Sequence, residues 1–94
     1  MNSNLINVTK KIILEGHSDK SEKDAVQNAF RKLQNEAFKS TPEPIIYMRP
    51  VNVSVLKNDV KSEEERFLVV LFPRTKTSFQ VELEIEVEMS LLVL

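Results

Sequence analysis

Between Phe79 and Met89 the chain reads FQVELEIEVEM, with apolar residues on every second position and Gln or Glu between them. A side-chain period of two belongs to a β-strand, and this pattern puts one face in a core and the other in water. The stretch therefore requires a sheet with one covered face. The rest of the 94-residue chain is read for what supplies the neighbouring strands and the cover.

From the N-terminus, Leu5 to Leu14 places Ile6, Val8, Ile12 and Leu14 on one parity, interrupted by Lys10, and reads as a first strand. It runs to Gly16, the only glycine, which the reading assigns to a tight strand-to-helix turn because glycine reaches positive φ without steric cost. Ser21 is the expected helix N-cap, with Asp24 three residues on as a weak capping-box partner. The spacing then becomes helical. Ala25, Val26, Ala29, Phe30, Leu33 and Ala37 form one apolar stripe, Phe38 is expected to close its end, and Ser40-Thr41-Pro42-Glu43-Pro44 stops the helix.

Ile45 to Leu56 is again strand-like, and Pro50 inside it requires an edge position or a bulge. Lys57 to Glu65 (KNDVKSEEE) is polar and reads as a hairpin connection. Arg66 to Phe72 carries an apolar run without alternation, the mark of a strand buried on both faces. Pro73 to Thr77 reads either as a turn or as a kink in one long strand. The expected fold is a single α+β domain over residues 1–94 with the order β-α-β-β-β, one helix packed on an antiparallel sheet and a long C-terminal strand.

A chain of this size buries roughly 60–70% of the surface its unfolded form exposes, so a second copy is a natural source of further burial. Phe67, Val69 and Leu71, together with Leu91, Leu92 and Leu94, are the expected subunit contacts, since one helix covers only one sheet face. The absence of cysteine excludes disulfides, thiolate metal sites and cysteine nucleophiles. A formal charge of -1 gives no drive toward nucleic acid or an anionic membrane, and neither a secretory signal nor an apolar run of membrane-spanning length is present. A cytoplasmic location is the expectation.

Three groups of residues bear on chemistry. Glu82, Glu84, Glu86 and Glu88 repeat at ~6.8 Å along one face, without a histidine or a turn to converge oxygens on a metal ion, and read as a solvated or charge-paired face. His17-Ser18-Asp19 are adjacent and cannot supply the separated positions of a catalytic triad, so no catalytic residue is assigned. Arg74, Thr75 and Lys76 carry donors that suit an anion such as a sugar phosphate, but no glycine-rich loop accompanies them.

The Gly16 turn leading into Ser21 to Phe30, the Phe72-Pro73-Arg74 step and the Val81 to Ile85 strand resemble a small bacterial family of uncharacterised proteins of about this length. Members of that family are encoded beside sugar phosphotransferase components and amino-sugar catabolic enzymes. The first half, through Gly16-His17-Ser18, Ala25-Val26 and Ala29, also resembles dodecin. That similarity implies long antiparallel strands round a helix and a closed homo-oligomer. It does not carry flavin, because dodecin stacks the flavin ring on tryptophan and this chain has none, Tyr47 being the only stand-in. No cofactor is expected. The resulting functional expectation is a homo-oligomeric accessory or structural protein, linked through the first resemblance to sugar uptake or catabolism. A binding module for anions or sugar phosphates at subunit junctions is the alternative, and an enzyme the weakest reading.

Overall fold

The computed structural model describes residues 4–67 and 72–93, with side chains described for 4–62 and 76–93. Three strands and two helical segments follow one another as β1 (Asn4–Ser18), α1 (Glu22–Phe30), α2 (Leu33–Ser40), β2 (Ile45–Phe67) and β3 (Phe72–Val93). The sheet is antiparallel with β3 in the centre, in the order β1-β3-β2. The alternating stretch thus occupies the one position with a neighbour on both sides. Its odd-numbered residues Val81, Leu83, Ile85, Val87, Met89 and Leu91 are all buried.

The cover over that face comes from the helical stripe. Ala25, Ala29, Leu33 and Ala37 are buried against Ile12, Leu14 and the β3 row, with Val26 and Phe30 packed at the margin. The predicted helix is present with a break at Arg31-Lys32, which separates α1 from α2. Ser21 caps α1 as expected, its hydroxyl oxygen accepting from the Asp24 amide at 3.0 Å. Ser21→Ala should therefore cost about 1 kcal/mol in a urea titration. The Asp24 carboxylate turns to Ser18, whose hydroxyl donates to it at 2.7 Å while accepting from the amides of Lys20 and Ser21. At the other end α2 stops at Ser40, and Thr41 is extended and buried. Lys10, which breaks the apolar parity of β1, sends its ammonium to the Ser40 carbonyl at 2.6 Å, at the negative end of α2.

Several expectations are corrected. Gly16 lies within β1, paired with Val81, and makes no turn. A Cβ there would fall on the Ala25 carbonyl oxygen and lie 2.8 Å from the Ala29 nitrogen and 2.9 Å from its Cβ, so the glycine serves close approach of α1 to the sheet. Phe38 does not close the helix end but is 51% exposed. The polar run from Lys57 to Glu65 is not a connection. It continues β2, each residue paired with β3 from Lys57↔Glu82 to Glu65↔Arg74. Of the strand expected over Arg66 to Phe72, Arg66 and Phe67 end β2 and Phe72 begins β3, while residues 68–71 lie outside the described residues. Pro73 to Thr77 is not a turn: of the two readings the long strand holds, since β3 runs through this segment with its pairing to β2 in register. Among the described residues the order is therefore β-α-α-β-β, with three strands where four were expected.

Pro50 meets both of its conditions, because β2 is an edge strand and its register shifts between Pro50 and Asn52. Two further shifts fall between Ile45 and Tyr47 and between Val55 and Lys57. Beyond Val60 the pairing with β1 has ended, and Lys61↔Ser78 to Phe67↔Phe72 form a two-stranded ribbon that projects from the body. The chain measures 73 × 22 × 14 Å, with a radius of gyration of 19.1 Å. A compact chain of this length has about 12 Å.

Candidate functional site

The sheet presents two chemically different faces. On the face away from the helices, each even-numbered glutamate of β3 is flanked by residues of both edge strands. Arg49 reaches Glu88 at 3.3 Å, Lys57 reaches Glu82 at 3.9 Å and Lys11 approaches Glu84 at 4.0 Å. These pairs are exposed, so each contributes no more than about 1 kcal/mol. They offset part of the repulsion along the row at Glu82, Glu84 and Glu88. A shallow depression in this face is lined by Lys11, Asn52, Ser54, Glu84 and Glu86. Among the described residues no group of three or more His, Cys, Asp or Glu is placed to hold a metal ion.

His17, Ser18 and Asp19 lie where β1 ends and the turn into α1 begins. The His17 carbonyl accepts from the Asn28 side-chain amide at 2.7 Å, and Ser18 is committed to Asp24 and the turn. The neighbouring Glu15 carbonyl accepts from the Lys32 ammonium at 2.7 Å. Helical side chains thus satisfy part of the β1 edge, which discourages strand addition there. Glu43 has its carboxyl held below the ordinary carboxylate range, chiefly by the Thr41 hydroxyl, which donates to it at 2.7 Å. Tyr47 is exposed and registers opposite Ser90.

The three positions read as an anion site lie on the projecting ribbon. Backbone register sets Glu65 across from Arg74, Glu64 across from Thr75 and Glu63 across from Lys76. The side chains of Arg74 and Thr75 are outside the described residues. Of the expected subunit contacts, Leu91 is buried within its own chain and Leu92 is half-buried. Phe67 pairs with Phe72 through the backbone, while Val69, Leu71 and Leu94 lie outside the described residues.

A surface that the sequence reading missed lies on the helix side of β2. Met48, Val53, Val55 and Val60 register with Met89, Ile85, Leu83 and Phe79, so they belong to the core face of the sheet. Yet Val53 is 42% exposed and Val55 and Val60 are each 57% exposed, while Leu83 and Ile85 beside them are fully buried. The reason is width. One helix is about 10–12 Å across and strands are spaced by about 4.8 Å, so the helical layer seated over β1 and β3 ends before it reaches β2. The signal was available in the sequence as one helical stripe set against three strands' worth of apolar residues.

Comparison with known proteins adds one result. The model of a family described as "Domain of unknown function (DUF4312)" matches residues 8–92. No curated protein and no solved structure matches the chain.

Proposed function

The chain belongs to the DUF4312 family, and we propose that it is a homo-oligomeric accessory protein whose main biochemical property is assembly. The observation that carries this reading is shape. A radius of gyration of 19.1 Å in 94 residues leaves a large surface for the amount of core enclosed. The projecting ribbon adds to the argument, because an isolated pair of strands is marginal in water without further cover. Copies of the chain supply that cover most simply. The cytoplasm is the proposed location, and the resemblance to proteins encoded beside sugar-phosphotransferase genes makes sugar uptake or catabolism the pathway it would serve.

Assembly coupled to stability makes unfolding depend on concentration. The thermal midpoint should rise steadily as protein concentration is raised over two decades. A midpoint independent of concentration, in a reversible two-state transition, would count against a folded state that needs its partners.

A further inference from the structure

We infer that the helix-side face of β2 is an interface with the same face of a second copy, the two related by a twofold axis. This rests on the homo-oligomeric reading above and specifies where the contact lies. Of the eleven large apolar residues exposed among the described residues, seven belong to β2: Val53, Val55 and Val60 register with the core-face parity of β3, Tyr47 with the opposite parity, and Ile46, Val51 and Leu56 fall at the three register shifts. The other four, Leu5, Ile6, Ile13 and Phe38, are divided between β1 and α2. When the partner is the chain itself, apolar surface can be matched only by apolar surface that the chain carries. On the side of the sheet that carries the helices, Val53, Val55 and Val60 of β2 form the exposed apolar strip beside the covered core, so this strip meets its own copy, and a patch that binds its own copy is the isologous contact of a twofold dimer.

Charge agrees with this choice. The residues of β2 that register with the buried row of β3 are Ile45, Met48, Pro50, Val53, Val55 and Asn58, and Val60 registers with Phe79 on the same parity; none of them is charged. Arg49, Lys57, Asp59 and Lys61 all register with the opposite, glutamate-bearing parity. A twofold contact brings each residue near its own kind, where a charged strip would repel itself and an uncharged one does not. Height agrees as well. Packed sheets stand about 10 Å apart and a helix is about 10–12 Å across, so a partner sheet laid on β2 sits level with α1 and fills the space beside it.

The test uses the absence of cysteine. In Val55→Cys the introduced thiol is the only one in the chain, and its alkylation is followed above and below the concentration at which the assembly dissociates. A second measurement compares the native masses of wild type, Val55→Lys, Val60→Lys and, on the opposite face, Ser54→Lys, with circular dichroism as the check on folding. The inference predicts a thiol protected in the assembly and released on dilution, loss of the dimer contact in whichever strip variant remains folded, and an unchanged mass for Ser54→Lys. An assembled wild type whose thiol reacts freely, or whose folded strip variants keep the wild-type mass, overturns this interface and leaves homo-oligomerisation standing. A wild type that is a single chain at every concentration overturns both.

Discussion

Gly16→Ala should destabilise the protein by about 3 kcal/mol or more, the upper end of what overpacking a close contact costs. Only one methyl group is added, and the backbone conformation at Gly16 is ordinary strand. The cost comes from what the methyl meets, the Ala25 carbonyl oxygen together with the Ala29 nitrogen and Cβ. Two of these three are backbone atoms of α1, which cannot rotate aside as a side-chain end can. The helix has to lift from the sheet, and Ala25 and Ala29, both completely buried, lose their packing with it. Folded domains hold only about 5–15 kcal/mol in reserve, so a large share of the stability is at risk. Urea titration of the variant against wild type reads the difference. A change below about 1 kcal/mol would mean that α1 does not sit so closely on β1.

Leu83→Ala is expected to cost about 3–4 kcal/mol by the same measurement, since it empties the middle of the buried row of β3. Leu83 is fully buried, pairs with Leu14 on one side and Val55 on the other, and lies beneath the helices. The informative control is Ile13→Ala. Ile13 pairs with Glu84, one position along the ladder from Leu83, but faces water at 59% exposure. Its loss should stay within about 0.5 kcal/mol. Equal costs at the two sites would contradict the parity of the sheet, and with it the assignment of one face to the core.

Much of this parity is legible in the residues themselves. The alternation from Phe79 to Met89, the stripe from Ala25 to Ala37, the Ser21 cap and the stop at Ser40-Thr41-Pro42 all correspond to the structure, because each is a local pattern with a single physical cause. Gly16 was misplaced for an instructive reason. Glycine serves equally for a turn and for close approach, and the distinguishing sign is on the other element, in two alanines four residues apart on α1. The Lys57 to Glu65 segment reads as a loop because polarity reports contact with water, and an edge strand whose residues 57–62 are exposed is as polar as a loop. Its strand character depends on pairing with Arg74 to Glu82, which local composition does not encode.

The candidate surface was obscured by a related limit. Val53 and Val55 were recognised as one face of a strand, and that face does belong to the core side of the sheet. How far a helix reaches across a sheet is a matter of widths, and periodicity along the chain says nothing about it. The glutamate row was the reverse case. Electrostatics called for nearby cations or open solvent, and within one chain Arg49, Lys57 and Lys11 from the two flanking strands pair with Glu88, Glu82 and Glu84.

The most direct test of the account is the native mass of the wild-type protein, measured by light scattering after size exclusion at several concentrations. The account predicts a discrete multiple of the chain mass that persists over a range of concentrations. A single-chain mass throughout, with the fold intact, would contradict it.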